Sequence, residues 1–306
     1  MTLQSHLIQE FDLPVSGGHT VHVYDWGNPD ATTPFIFLHG GPGGQIKDKH
    51  TGSFDPAVQR VVFFDQRGGG RSTPYGSLEQ NTTQEMVKDI SAIADHLGIQ
   101  QFYLHGSSWG STLSLAYALE HPERVKALLI GGVWTSSSSE NHWLDQGEFR
   151  TFYPDVWDAY LARTPAEHHN NPSAYHFDKA LHGIPVEQKA SAYAYDCLES
   201  GVVKLDDRST PAEFDTYDPA GIRIEIQYIQ NLAFLPDRYI LDNAARLTMP
   251  VHIVQGRYDM VCPPITAYEL SKKLPNCKLY WTISGHAHEH ENQNVFKAII
   301  AGLRDE

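Results

Sequence analysis

Residues 103–119 read YLHGSSWGSTLSLAYAL, and this stretch decides the fold. A short apolar run ends at a glycine, a serine-bearing turn follows, and an apolar helical pattern starts at once. Gly106, Ser108 and Gly110 fit the pattern G-x-S-x-G, and that register selects Ser108 over Ser107 and Ser111. A strand that turns sharply into a helix leaves no room for a Cβ beside the turn, which accounts for the small flanking residues. Such a turn pushes the serine hydroxyl out at the carboxyl edge of a sheet, at a helix N-terminus. The positive end of the helix dipole favours developing negative charge there. The pentapeptide alone is weak; the strand before it and the helix after it make it a nucleophile elbow. Ser111, one turn into the helix, is expected to pack or to face solvent.

Short β-rich runs flank this element. HTVHVYDWG (residues 19–27) alternates as a strand does, and PFIFLHG (34–40), RVVFFDQ (60–66), QFYLHG (101–106) and VKALLIGG (125–132) are short apolar runs. Such runs suit strands buried on both faces of a parallel sheet. Between them TTQEMVKDISAIADHLGI (82–99) puts Met86, Ile90, Ile93 and Leu97 on one helical face, with Thr83 as N-cap and Gly98 as stop. The pattern returns late: MPVHIVQGRYD (249–259) and CKLYWTISGH (277–286) read as strands, PITAYELSKKL (264–274) as the helix between them, and ENQNVFKAIIAGLRDE (291–306) as a closing helix. Strand–helix alternation at both ends implies one α/β sheet. The middle, about 134–243, has no buried-strand pattern and is rich in helix-like segments, aromatics and prolines. It reads as a helical insertion between two strands, with TSSSS (135–139) as a flexible junction. The expected organisation is an α/β core of 1–133 and 244–306 with a helical cap of 134–243.

Composition narrows the function classes. The chain has 306 residues and a formal net charge of -14, from 23 basic and 37 acidic residues. It has no lysine-rich run, so nucleic-acid binding is not expected. The N-terminus lacks a basic region followed by an apolar one, no apolar run is long enough for a membrane helix, and three cysteines make no disulfide framework. A reducing cytoplasm and no membrane partner are the expectation.

A serine needs a base and an orienting acid to act at neutral pH. In folds with this elbow the chain order is Ser, then Asp or Glu, then His. Asp259 follows the strand of 251–255, and His286 follows the strand of 279–283. Both fall at carboxyl strand ends, the edge where Ser108 emerges. HAHEH (286–290) alternates like a metal-binding tract, but no partner motif such as H-E-x-x-H occurs, so no metal is expected. His288 and His290 read as surface residues at the start of the last helix. LHGGPGG (38–44) follows a strand, and no lysine follows its glycines as in a phosphate loop. A tetrahedral oxyanion wants two backbone N–H donors. One is expected from Trp109, the residue after Ser108, and the other from Gly41, with Gly40 second.

HGGPGG, FFDQRGGGRS (63–72), GSSWGSTLSLAYALEHPERV (106–125), GRYDMVCP (256–263) and SGH (284–286) together resemble the proline iminopeptidases, α/β-hydrolase-fold serine peptidases that remove an N-terminal residue, preferably proline. FYPDVWDAYL (152–161) and IRIEIQYIQN (222–231) extend the resemblance into the insertion, where the family carries a helical cap. The resemblance implies an α/β-hydrolase fold with a mostly parallel central sheet flanked by helices, no metal or organic cofactor, and short peptides or small amides with a free N-terminus as partners. It implies that the glutamate of the RIE segment, Glu225, receives the substrate ammonium through a charge-assisted hydrogen bond. The pyrrolidine ring wants an apolar, aromatic-lined pocket, for which Trp109 and cap aromatics such as Phe152 or Tyr153 are candidates. SAYAYDCLES (191–200) carries tyrosines where a tryptophan-rich cap helix is expected. An aminopeptidase of broader preference, or an esterase or amidase on small acyl substrates, is therefore the alternative. Cys262, three residues after Asp259, is either a small packing residue or a thiol beside the site.

Overall fold

A computed structural model describes residues 2–205, 211–287 and 290–303. Its sheet contains β1 (Leu7–Pro14), β2 (Thr20–Gly27), β3 (Phe35–Leu38), β4 (Arg60–Asp65), β5 (Phe102–Ser108), β6 (Val125–Val133), β7 (Val251–Gly256) and β8 (Cys277–Thr282). The order across the eight strands is β1-β2-β4-β3-β5-β6-β7-β8. β1 and β2 run antiparallel to their neighbours, and β3 through β8 are mutually parallel. The parallel strands bury both faces by alternation. Ile36, Leu38, Val62, Phe64, Leu104, Leu128 and Ile130 join one apolar cluster, while Phe35, Phe37, Val61, Phe63, Tyr103, Ala127 and Leu129 join the other. This is why those runs look uniformly apolar in sequence.

The first cluster is closed by α1 (Thr83–His96), α2 (Trp109–Glu120) and α9 (Pro264–Lys273), and the second by α10 (His290–Gly302). The cap of α1 is Thr82, not Thr83: the Thr82 hydroxyl accepts the Glu85 N–H at 3.4 Å. Thr83 turns its hydroxyl to the Ala233 carbonyl instead. β1 has no counterpart in the sequence reading. Its mixed burial at the sheet edge leaves no clean alternation to detect.

Between β6 and β7 lie α3 (Ser138–Asp145), α4 (Pro154–Leu161), α5 (Pro172–His182), α6 (Pro185–Ser200), α7 (Ala220–Gln230) and α8 (Tyr239–Asn243), with no strand among the described residues. Phe149, Trp157, Tyr160, Phe177, Tyr195, Leu198 and Ile226 gather into a third apolar cluster there. The TSSSS segment is not the flexible junction expected. Thr135, Ser136 and Ser137 are buried, and the Glu140 carboxylate accepts the backbone N–H groups of Thr135 and Ser137. A capping carboxylate ties this chain exit to the start of α3.

Candidate active site

Four strand ends converge. The loop after β3, the β5–α2 turn, the loop after β7 and the loop after β8 all open at the carboxyl edge of the sheet, where ligand sites of open α/β sheets form. Ser108 sits between β5 and α2 with φ 58° and ψ −130°. A non-glycine residue there is strained by on the order of 1–3 kcal/mol. The turn is held by close backbone approach: a Cβ on Gly110 would lie 2.1 Å from the Leu38 carbonyl oxygen, and one on Gly106 would lie 2.4 Å from that of Gly110. Ser111 packs, fully buried. Its hydroxyl donates to the Ser108 carbonyl at 2.6 Å and accepts the Trp134 N–H at 3.1 Å, so it braces the turn.

Asp259 is completely buried. Its Oδ1 accepts the N–H groups of Val261 and Cys262 at 3.0 and 2.8 Å, and its Oδ2 accepts Gln255 Nε2 at 3.1 Å. His286 Nδ1 faces the same carboxylate at 2.9 Å from Oδ2 and 3.1 Å from Oδ1. Burial disfavours the imidazolium, but the Asp259 charge and hydrogen bond, helped by Glu199, outweigh it and raise the His286 pKa above the ordinary histidine value. The pair lies against the end of β6. Gly132, with φ +47°, leaves just enough space, since a Cβ there would come within 3.0 Å of His286 Cε1. β6 also holds Val133 opposite Ser108, so the imidazole stands one strand from the serine. Ser108 and His286 line one open cleft, and no hydrogen bond joins them among the described residues. His288 lies outside the described residues, and His290 is exposed at the first residue of α10.

Trp109 opens α2, where backbone N–H groups lack helical acceptors. Gly41 and Ser108 border both this cleft and a second, smaller cavity. That cavity is also lined by Trp134, Leu144, Tyr195, Ile229, Val261 and Cys262, together with the carboxyls of Glu140, Asp145, Glu199 and Glu225. No lysine or arginine is among the described residues that line it. Glu225 and Glu199 form a close pair. Burial raises the pKa of both, and the charge and hydrogen bond of Glu199 push Glu225 well above the usual carboxylate range. Two buried carboxyls this close oppose each other's ionisation.

The Trp109 ring does not wall this cavity as expected. Its indole is fully buried, bonded to Gln66 and packed edge-on against Tyr228. Phe152 is exposed and Tyr153 packs on the cap cluster; neither borders the cavity. The aromatic lining is Trp134 and Tyr195. Tyr195 and Glu199 both belong to SAYAYDCLES, four residues apart on α6, so one helical face delivers them together. That spacing was the available signal for Glu199. Cys262 is buried on the cavity wall, with a thiol pKa raised by burial.

Comparisons with known proteins bear on the family and the fold. The family described as alpha/beta hydrolase fold matches residues 33–290. A proline iminopeptidase of Neisseria gonorrhoeae is 40% identical over 283 residues, covering 90% of this chain and 89% of that protein. A probable proline iminopeptidase of Leptolyngbya boryana is 36% identical over 293 residues, covering 94% and 91%. The chain belongs to the proline iminopeptidase family. Among solved structures, an esterase from Exiguobacterium antarcticum superposes with a TM-score of 0.66 at 16% identity, covering 96% of this chain and 98% of that one, a likeness of fold. No helix among the described residues is long and apolar enough to cross a membrane.

Asp145 is the odd carboxyl in this proline iminopeptidase-family cavity. Among the described residues its one side-chain partner is the Tyr195 hydroxyl at 3.4 Å, and burial pushes its pKa up to about 7. The folded protein therefore keeps this proton up to about pH 7, whereas an unfolded aspartate ionises near ~3.9. The resulting stability is full below the unfolded value and declines as pH rises to the folded one. Each tenfold change in proton affinity is worth about 1.4 kcal/mol, and contact with the cavity reduces the sum, to on the order of 2 kcal/mol. Asp145→Asn is expected to unfold at nearly the wild-type temperature at pH 4 and several degrees above it at pH 8. Parallel melting curves across that range check this.

Proposed function

We propose that this chain is a serine aminopeptidase that releases an N-terminal residue, preferably proline, from short peptides or small amides. Ser108 attacks the carbonyl of the N-terminal residue. His286 takes the serine proton through Nε2 and returns it to the leaving amine. Asp259 holds the Nδ1–H tautomer and stabilises the cation that forms. The Trp109 and Gly41 N–H groups receive the oxyanion. Water then releases the acyl group by the reverse route. The missing Ser108–His286 hydrogen bond fits a substrate-free site, where such contacts tighten only in the complex. The reaction read this way calls on side chains and backbone alone, with neither metal nor organic cofactor.

One observation carries the aminopeptidase reading: a cavity opening on Ser108 is lined by both Glu199 and Glu225, with no lysine or arginine among its described lining. A substrate ammonium entering between the two would meet both carboxyls and favour their charged form. The ring behind it would lie against Trp134, Leu144, Tyr195 and Ile229. Residues 134–243 act as the cap that carries these groups over the core of 1–133 and 244–306. The α6–α7 position of the two glutamates and an apolar cluster built mainly from α4, α5 and α6 support that division, although Ile224, Tyr228, Ala233, Ile240 and Leu241 pack on the core cluster. A cytoplasmic location and the absence of membrane and nucleic-acid partners complete the proposal.

Side-by-side turnover of prolyl-arylamide, alanyl-arylamide and a short acyl ester tests the activity. The expected order is prolyl first, and cleavage of the ester alone overturns the reading. Glu225→Gln tests the ammonium site. A lost charge-assisted hydrogen bond is worth about 10- to 100-fold in kcat/KM on substrates with a free amine. N-blocked esters should lose about threefold or less. Equal losses on both would remove the recognition role.

A further inference from the structure

The two proposed oxyanion donors come from separate segments, the loop after β3 and the start of α2. Gln66, the first residue after β4, touches both. Its side-chain Oε1 accepts Trp109 Nε1–H at 2.7 Å, and its Nε2–H donates to the His39 carbonyl at 3.0 Å. Its backbone N–H donates to His39 Nε2 at 3.1 Å. All three residues are buried. An indole N–H can only donate and a carbonyl can only accept, so the amide has a single allowed orientation.

The chain of bonds continues to the donor itself. His39 Nε2 is an acceptor in this arrangement, so Nδ1 carries the proton and donates it to the Gly40 carbonyl at 2.8 Å. Burial lowers the His39 pKa and keeps the ring neutral, as this tautomer requires. The Gly40 carbonyl and the Gly41 N–H belong to one rigid peptide plane and point opposite ways. Holding that oxygen therefore aims the Gly41 N–H.

We propose that Gln66 is a positioning residue: one buried amide couples the Trp109 end of the oxyanion hole to the His39–Gly41 end and sets their spacing. This rests on the assignment of Trp109 and Gly41 as oxyanion donors and predicts something that assignment does not. Displacement of preorganised donors lowers transition-state stabilisation rather than ground-state binding, and a shift of about 1 Å costs about 100-fold.

Gln66→Met keeps the length and loses both hydrogen bonds. Gln66→Glu keeps an acceptor for Trp109 and places a carboxylate against the His39 carbonyl. Wild type and variants are titrated with a serine-directed phosphonate, so that kcat is expressed per reactive site. Prolyl-arylamide kinetics and inhibition by a prolyl boronate, which mimics the tetrahedral adduct, are then measured. Each variant is expected to lose about 10- to 100-fold in kcat with KM within about threefold, and to weaken for the boronate by a similar factor. Trp109→Phe severs the same link from the other side. The Gln66→Met/Trp109→Phe double variant should therefore be little worse than either single one. If Gln66→Met yields too little folded protein, Gln66→Glu and Trp109→Phe carry the same comparison. Unchanged per-site kcat and boronate affinity, a loss confined to thermal stability, or fully additive losses would each overturn the proposal. Failure of the serine-hydrolase reading itself looks different: the wild-type protein would neither react with the phosphonate nor bind the boronate, whereas wrong donors would leave the wild type reactive and the Gln66 variants unchanged.

Discussion

Ser108→Ala is expected to lower kcat on prolyl-arylamide by at least about 10⁴-fold, because losing the nucleophile of a triad removes the covalent route and leaves only the oxyanion donors and binding. Folding should not suffer. The hydroxyl of Ser108 makes no hydrogen bond to His286 among the described residues, and the turn is braced by Ser111 on the Ser108 carbonyl, a backbone contact that survives the substitution. A second substitution separates chemistry from strain. Ser108→Gly should be equally inactive yet more stable than Ser108→Ala by about 1 kcal/mol, since glycine relaxes at the positive φ of this turn. Steady-state rates and melting curves of the two variants read both effects. Retention of more than a few per cent of wild-type turnover in either one would move the nucleophile elsewhere.

Asp259→Asn is expected to cost about 10⁴-fold in kcat, the scale set when a triad's acid becomes an amide and the imidazole is held in the wrong tautomer. The site predicts a second signature. In the native protein burial works against the His286 cation, and the Asp259 carboxylate and Glu199 overcome it. Only the neutral ring can accept the serine proton, so wild-type kcat/KM should fall on the acid side of a midpoint above the ordinary histidine value. With Asp259 neutral, burial meets less opposition, and the acid limb of the residual activity should move to lower pH. A pH–rate profile of both proteins checks the direction. A limb that stays in place or moves upward would mean that Asp259 does not set the charge of His286.

Much of the proposed triad was legible because it hangs on local signals. A glycine register picked Ser108, and two apolar runs that end in Asp259 and His286 placed those residues at strand ends. The strands themselves were readable because burial on both faces writes an unbroken apolar run. β1 was not, because an edge strand of mixed burial carries neither an unbroken apolar run nor a clean alternation. The cap was readable only as the absence of strands. Its aromatics were misassigned because helical segments with aromatics on several faces do not say which face turns inward: Phe152 points to solvent while Tyr195, on a neighbouring helix, lines the cavity.

By itself, then, the sequence determined β2 through β8, the tight turn at Ser108 and the chain order of the proposed triad, since strand periodicity and tight turns are enforced over a few residues. Tertiary structure alone decided which groups meet across long separations. It set Glu199 of α6 against Glu225 of α7, left Asp145 with few partners among the described residues of the same cavity, and turned the Trp109 ring away from that cavity toward Gln66. The physical reason is that hydrogen-bond partners and carboxyl pairs depend on packing between elements, and no local pattern in the chain encodes that packing.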